Sequence, residues 1–295
     1  MSYNFPVYLE RHGMTSVDLI ASCWTSAGAA APCTDDERSP VSIRERVEAV
    51  SAAGFAGFGI QHMDLAVVRD SIGYGEFRKI LDGNGISIVE VEFLEDWFTD
   101  GPERVESDAS RAELLRAAEV LGARVLKTGG KFHRDEFDAE RLAPHFAKLA
   151  EDASNAGTMV GIEPAPFREI QTPQQAMAVI ELADHLAGGL YIDIWHTERL
   201  DVDFAYIRSI PGNRIVGVEI DDADAEIRGS LLDDTVNNRR FPGEGIFDIP
   251  EFVSAVKSTG YSGPWAVELI SAEVRSMSVR EATRRAFSTT RTFVD

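Results

Sequence analysis

Short apolar runs alternate with longer amphipathic segments along most of this 295-residue chain, and this alternation constrains its fold. Short apolar runs are typical of buried strands, and the segments between them have the 3.6-residue periodicity of helices. The predicted strands cover 17–23, 55–61, 86–93, 124–128, 159–163, 190–194, 214–220 and 265–269. The predicted helices cover 41–53, 68–81, 104–121, 138–155, 172–186, 201–210, 249–258 and 279–292. Eight consecutive βα units predict a single-domain (β/α)8 TIM barrel over 17–295, with a doubly wound open sheet as the alternative.

Two segments lie outside this repeat. Residues 1–16 form an N-terminal extension, which we expect to cover the bottom of the barrel or to dock on a partner. Residues 221–247 separate the seventh strand from its helix by about 27 positions, and loops of that length in a compact domain are usually functional or disordered. Barrel enzymes place their chemistry at the carboxyl ends of the strands, so we interpret this segment as a lid over that end.

Charge and motifs argue against several classes of function. The formal charge of −20 and the pI near 4.7 disfavour a nucleic-acid partner, because such binding requires clustered cations. No Gly-x-Gly-x-x-Gly motif follows the first strand and no Walker-type loop occurs, which disfavours nucleotide cofactors. No apolar run reaches 18 residues and no signal-peptide pattern occurs, so we expect a cytoplasmic protein without a membrane partner. Cys23 and Cys33 lack the spacing of a thiolate zinc site. The sequence is compatible with a homo-oligomer as well as with a monomer.

Four acidic residues end four of the apolar runs. They are Glu163 in VGIEP, Asp193 in YIDIW, Glu219 in VGVEI and Glu268 in WAVEL. Parallel strands present their carboxyl ends at one end of a barrel, and carboxylates buried there require a cation. The sequence therefore predicts a site for one divalent metal ion. The alternative is four unrelated acids that cap the following helices or pair with arginines.

The residues beneath these acids are mostly small. Side chains alternate between the faces of a strand, so the residue two positions earlier shares the face of each acid. These residues are Gly161, Tyr191, Gly217 and Ala266. A purely structural core would place Val, Ile or Leu there, so we expect this pattern to leave room for an ion and a ligand.

Several stretches together resemble the xylose isomerase-like TIM barrel superfamily, the sugar phosphate isomerase/epimerase group that also contains AP endonuclease family 2-like proteins. The resemblance covers nearly the whole chain and rests on IEP at 162–164, DIWH at 193–196, VEIDD at 218–222 and the stretch 242–269. It implies a barrel that binds one divalent ion, usually manganese, cobalt or magnesium, at the ends of strands five to eight.

The resemblance also assigns ligand positions. Glu163, Asp193 and Glu268 match the family's Glu, Asp and Glu ligands, whereas Glu219 stands where the family commonly has His. An all-carboxylate set prefers hard cations, so we expect Mn²⁺, with Mg²⁺ or Co²⁺ as alternatives, rather than zinc.

The expected chemistry is proton transfer next to a ketone. An α-hydroxy ketone on the ion would form an enediolate, with Glu163 and Glu268 exchanging the proton as in the epimerase relatives. The leading prediction is an isomerase or epimerase of a keto-sugar or a polyol-derived ketone. The alternatives are a lyase and a non-catalytic sugar-binding barrel. The lyase would dehydrate an inosose or a shikimate-type acid, or cleave an oxidised glycoside.

Other polar and aromatic residues lie near the predicted strand ends and are candidate contacts for a sugar or polyol substrate. They are Trp24, His62, Glu92, Lys127, His196, Arg239 and Arg240. Several of them have a structural alternative. Lys127 could be a buried ion-pair partner, the two loop arginines could be solvated, and Trp24 could fill the core.

Overall fold

Eight parallel strands form a closed barrel in the computed structural model, which describes residues 17–132 and 136–295. Each strand pairs with its neighbours in chain order, and the last pairs with the first. The barrel strands are β1 (Leu19–Ala21), β2 (Gly57–Gln61), β3 (Ile88–Leu94), β4 (Val125–Thr128), β5 (Met159–Ile162), β6 (Gly188–Asp193), β7 (Ile215–Ile220) and β10 (Trp265–Val267). The predicted (β/α)8 barrel is confirmed. The N-terminal extension at 1–16 lies outside the described residues.

Helices surround the barrel. The α-helices are α1 (Ile43–Ala53), α2 (His62–Ser71), α3 (Tyr74–Gly83), α4 (Gly101–Leu121), α5 (Ala139–Asn155), α6 (Pro173–Ala183), α7 (Ile194–Glu198), α8 (Phe204–Ser209), α9 (Leu231–Asn237), α10 (Ile249–Ser258), α11 (Ala272–Arg275) and α12 (Val279–Val294). Short 3-10 helices occur at Cys23–Ser26 and Gly212–Arg214. Within the described ranges, no helix has both the length and the apolar content needed to cross a membrane.

Two predicted helices have different bounds in the structure. The helix predicted over 68–81 is two helices, α2 and α3, because Gly73 adopts a positive φ of 76° between them. The helix predicted over 201–210 begins only at Phe204, because the Asp203 carboxylate caps it by accepting from the Ala205 N–H at 2.8 Å.

The interior of the barrel contains less open space than the small residues suggested. Ile20, Ile88 and Ala266 form an apolar cluster inside the barrel. The Tyr191 ring occupies the space beside Gly217, where an added Cβ would lie 2.1 Å from Cε2 of that ring. The expectation that glycine at this position leaves room for an ion and a ligand is wrong, because the room holds the tyrosine.

The segment 221–247 is folded and contains its own hairpin. Strands β8 (Asp222–Ala223) and β9 (Arg239–Arg240) pair antiparallel, and α9 connects them. The buried Asp222 carboxylate accepts from the backbone N–H groups of Gly243, Gly245 and Phe247 at 2.9, 2.9 and 3.0 Å. These bonds join the end of the segment to its beginning, directly after β7. Its closure over a substrate stays a prediction.

Candidate active site

Four buried carboxylates meet at the carboxyl end of the barrel. They end or follow β5, β6, β7 and β10, and they are Glu163, Asp193, Glu219 and Glu268. Asp193 and Glu219 are register partners in the β6–β7 pair, so the two side chains lie next to each other. One ligand atom of each of the four lies within 4.8 Å of the others. The structure therefore brings together the acids that the strand ends indicated.

A buried lysine holds these carboxylates from inside the barrel. The Lys127 Nζ lies 2.5 Å from Glu92, 2.9 Å from Glu219, 3.3 Å from Glu268 and 3.9 Å from Glu163, and the lysine side chain is 1% exposed. Burial opposes the charged ammonium, yet the surrounding carboxylates raise the pKa of Lys127 well above its usual value. Lys127 is an internal counter-ion, and it does not line the cavity predicted to bind a substrate.

Tyr191, Glu90 and Arg124 form a column of polar contacts beneath Lys127, on its side away from the acids. Its Nζ lies 5.0 Å from the centroid of the Tyr191 ring. The Tyr191 hydroxyl donates to Glu90 at 2.7 Å, and Arg124 donates to the other Glu90 oxygen at 2.5 Å. Every member of this column has a partner, so the lysine has a defined position beneath the acids.

Arg239 contacts the same acids from the β8–β9 hairpin. This residue lies in β9 and is 2% exposed. Its Nη1 donates to Asp193 at 2.7 Å and to Asp221, and lies 3.3 Å from Glu268. Its Nε donates to Thr235 in α9 at 3.1 Å. The guanidinium therefore connects the β8–β9 hairpin to the carboxylate cluster.

Helix capping and arginine pairing, the alternative roles considered for these acids, are both observed at Asp193. The Asp193 Oδ1 accepts from the Trp195 N–H at 2.6 Å and caps α7, while its Oδ2 accepts from Arg239. Helix capping and arginine pairing therefore occur within the cluster itself.

The cluster fits a divalent cation. Among the described residues of the cluster, two buried cations, Lys127 and Arg239, contact six buried carboxylates; the carboxylates are Glu92, Glu163, Asp193, Glu219, Asp221 and Glu268. The Glu219 Oε2 is buried and has no hydrogen-bond partner among the described residues. Burial and the nearby Glu268 raise the pKa of Glu219 well above its usual value. A hard cation would supply the missing partner and the missing positive charge.

His196 belongs to a second, overlapping set of candidate ligands with Glu163 and Asp193. Its Nε2 lies 3.6 Å from an oxygen of each, and its buried Nδ1 has no hydrogen-bond partner among the described residues. The Phe167 and Trp195 rings form T-shaped pairs with the imidazole, with centroid distances of 5.7 and 5.4 Å. His196 can therefore orient the carboxylates or bind a substrate oxygen.

The two predicted proton-transfer residues differ in their electrostatic surroundings. Burial would raise the pKa of Glu163, but Lys127 and His196 outweigh it and hold that pKa at about 2. Burial raises the pKa of Glu268 to about 7, although Lys127 and Arg239 oppose the increase. The cluster thus contains carboxyl groups of unequal acidity.

A cavity of about 350 Å³ opens over the cluster. Of the four candidate metal ligands, Glu163 and Glu268 line it, whereas Asp193 and Glu219 do not. A small ring of substrate size fits such a volume. Glu163 and Glu268 are therefore the two carboxylates of this set that can contact a bound molecule.

Five of the seven predicted substrate contacts line this cavity: Trp24, His62, Glu92, His196 and Arg239. The His62 Nε2 lies 3.2 Å from Glu113 in α4, which fixes the ring at the rim. Glu92 accepts from the Cys23 N–H at 3.2 Å in addition to pairing with Lys127.

Arg240 is not brought to the cavity. It donates to Asp224 at 2.9 Å and to Glu273 at 3.2 Å, away from the cluster. Neighbouring strand residues point to opposite faces, so Arg239 and Arg240 cannot both reach the acids.

A second part of the cavity wall, cationic and aromatic, was not predicted from the sequence. It contains Phe93, Phe132, Phe167 and Arg168. Phe167 and Arg168 lie in the same β5–α6 loop as Glu163, and this proximity in sequence to a predicted site residue was the available signal.

A family comparison agrees with this architecture. The family model described as the xylose isomerase-like TIM barrel matches residues 47–291. The chain belongs to this family. The structure of the IOLI protein, whose crystals contain a bound zinc atom, superposes with a TM-score of 0.77 and covers 94% of this chain and 98% of that protein. At 19% identity, this likeness concerns the fold.

Several enzymes are similar to the chain in sequence, and two of them represent different reactions. The 3-dehydroshikimate dehydratase of Pseudomonas putida is 30% identical over 244 residues, which are 81% of this chain and 38% of the relative. The inosose isomerase of Bacillus subtilis is 27% identical over 145 residues, which are 48% of this chain and 51% of the relative. The relatives similar in sequence thus include both a dehydratase and an isomerase.

Proposed function

We propose that this chain is a divalent-metal-dependent lyase that removes water from a cyclic hydroxy ketone of the shikimate type. One observation carries the proposal: Glu163 and Glu268 face one small cavity whose floor fits a divalent ion. The choice of dehydration over isomerisation is supported by the 30% identity to 3-dehydroshikimate dehydratase over 81% of this chain.

The ion would be held by Glu163, Asp193, Glu219 and Glu268, and we propose Mn²⁺, with Mg²⁺ or Co²⁺ as alternatives. Such an ion supplies Lewis-acid stabilisation of the negative charge that develops on a ketone oxygen. A cytoplasmic location is part of the same proposal.

The protein's own side chains would move the protons. One of the two cavity carboxylates, Glu163 or Glu268, takes the proton from the carbon next to the carbonyl. The electron pair of that C–H bond forms a carbon–carbon double bond, and the β-hydroxyl departs. The other carboxylate delivers a proton to the departing hydroxyl, which leaves as water. The His196 Nε2 lies 3.6 Å from Glu163 and would orient the Glu163 carboxylate.

Isomerisation is the second candidate. The same pair of carboxylates could return the proton to carbon instead of expelling a hydroxyl. The 27% identity to inosose isomerase over 48% of the chain favours this candidate.

The test is product analysis with manganese-loaded protein and a panel of 3-dehydroshikimate, an inosose and several ketohexoses. We expect an unsaturated product from the acid, detected by ultraviolet absorbance, and solvent deuterium next to the carbonyl in recovered substrate. A stereoisomer without an unsaturated product would favour the isomerase. Bound ligand without any turnover or deuterium exchange would favour the non-catalytic sugar-binding barrel.

A further inference from the structure

A single arginine on the cavity wall has the surroundings of an anion-binding residue. Arg168 lies in the β5–α6 loop, is 8% exposed and lines the same cavity as Glu163 and Glu268. Its described ion pair is with Glu95, whereas Lys127 and Arg239 pair with the acids of the carboxylate cluster at the floor. Its role is therefore separate from that of the floor.

Aromatic rings and a backbone carbonyl fix the orientation of the Arg168 guanidinium. Its Cζ lies 3.9 Å from the centroid of the Phe132 ring and 4.6 Å from that of Phe93. Its Nη1 donates to the Gly130 carbonyl at 2.9 Å. A Cβ added to Gly129 would lie 2.9 Å from the Phe93 ring and 3.2 Å from Arg168 Cδ, so glycine allows this close packing. Stacking between aromatic faces leaves the edge of a guanidinium for a planar, bidentate acceptor.

The free edge of the Arg168 guanidinium pairs with the Glu95 carboxylate, which can rotate into solvent. Nη1 and Nη2 of Arg168 donate to the two Glu95 oxygens, both at 2.8 Å. The Glu95 side chain is 41% exposed, whereas the Arg168 side chain is 10% exposed. A half-exposed carboxylate regains water when it rotates away, so its separation from the arginine costs little. Glu95 therefore occupies the position of an exchangeable carboxylate.

We propose that Arg168 binds a carboxylate of the substrate and that Glu95 is displaced when the substrate enters. The inference rests on the proposed function, because it specifies the substrate as a carboxylic acid. Phosphate could use the same guanidinium edge, but Glu37, Glu92 and Glu95 also line the cavity and would repel its greater charge more strongly.

Ligand binding tests this proposal independently of turnover. Isothermal titration of the manganese-loaded full chain would compare shikimate with its neutral amide, which differ only in the anionic group. We expect wild-type protein to bind shikimate at least ten times more tightly than the amide. Arg168→Gln should remove this preference and leave the dissociation constant of the amide within about twofold, because one bidentate contact contributes a tenfold or larger factor.

Glu95→Gln is the informative second variant. It removes the competing charge and keeps the side-chain volume, so it should tighten shikimate binding at least threefold and leave amide binding unchanged. Arg240→Gln is the control, because Arg240 lies outside the cavity and should not change either constant.

Three results would overturn the inference: equal or absent binding of the two ligands by wild-type protein, equal weakening of both by Arg168→Gln, or no change with Glu95→Gln. Tighter, Arg168-dependent binding of myo-inositol 1-phosphate over shikimate would assign the residue to phosphate instead. Failure of turnover alone would overturn the proposed lyase but would leave a measured carboxylate preference intact.

Discussion

Lys127 at the floor of the cavity and Arg168 at its wall are both buried cations, yet their partners differ. The Lys127 ammonium lies within 4 Å of four carboxylates, each of them less than 10% exposed. Arg168 pairs with one carboxylate, Glu95, which is 41% exposed. Removing a cation from several buried acids leaves uncompensated charge, whereas separating a single half-exposed pair does not. The floor is therefore a fixed electrostatic structure and the wall is an exchangeable one.

The largest expected effect is at the two floor carboxylates that reach the cavity. Glu163→Gln or Glu268→Gln should lower turnover by about 10²–10⁴-fold for every substrate, because each removes a positioned acid or base. Metal content by mass spectrometry must accompany the rates, since both residues are also candidate ligands. Normal turnover in either variant with the ion retained would remove that residue from the mechanism.

Lys127→Met should cause the next largest effect, on stability. Loss of the ammonium leaves a buried acid cluster without its main partner, and we expect the free energy of unfolding to fall by about 3–5 kcal/mol in chelator. Added Mn²⁺ should raise the melting temperature more in the variant than in wild type, because the ion then supplies the missing charge. Lys148→Met is the matched control, since Lys148 is 58% exposed and its described partners Glu151 and Asp152 are 57% and 28% exposed. Equal stability of the two variants would contradict a fixed floor.

A smaller effect is expected where Asp222 joins the two ends of the segment 221–247. Asp222→Asn replaces a carboxylate that accepts from Gly243, Gly245 and Phe247, and we expect a loss of about 1–3 kcal/mol. Hydrogen exchange should increase over residues 238–247 and remain unchanged in α5. Uniform exchange across the barrel would indicate instead that Asp222 stabilises the whole domain.

The smallest effect belongs to Arg240. Its ion pair with Asp224 joins side chains that are 34% and 28% exposed, and such pairs contribute less than about 1 kcal/mol. Arg240→Gln should change kcat/KM by less than about twofold. A tenfold loss would place Arg240 in the substrate's path and would contradict the contrast with Arg239.

The barrel and its acidic floor could be predicted because both follow from local periodicity. Each of the four acids ends an apolar run, and parallel strands necessarily bring such ends together. The break between α2 and α3 was missed, because a glycine within a helical pattern does not by itself reveal its φ. The ion pair between Arg168 and Glu95 could not be predicted either, because the two residues are 73 positions apart and no local sequence pattern connects them.

Tyr191 shows most clearly that the sequence does not reveal which side chains fill the interior of the barrel. Its alternation with Asp193 placed it correctly on the inward face, but the sequence could not show that its ring would lie over Gly217. Inward direction is a property of one strand, whereas the available volume depends on its neighbours.

The packing of Tyr191 over Gly217 has a consequence for how the family can diversify. A methyl group at position 217 would overlap the ring, so this position can enlarge only when position 191 becomes smaller. Such a paired change would also remove the aromatic face beneath Lys127 and the hydroxyl that bonds Glu90. Substitutions at 217 and 191 should therefore appear together among related sequences, and a library that varies one of them alone should yield few folded members.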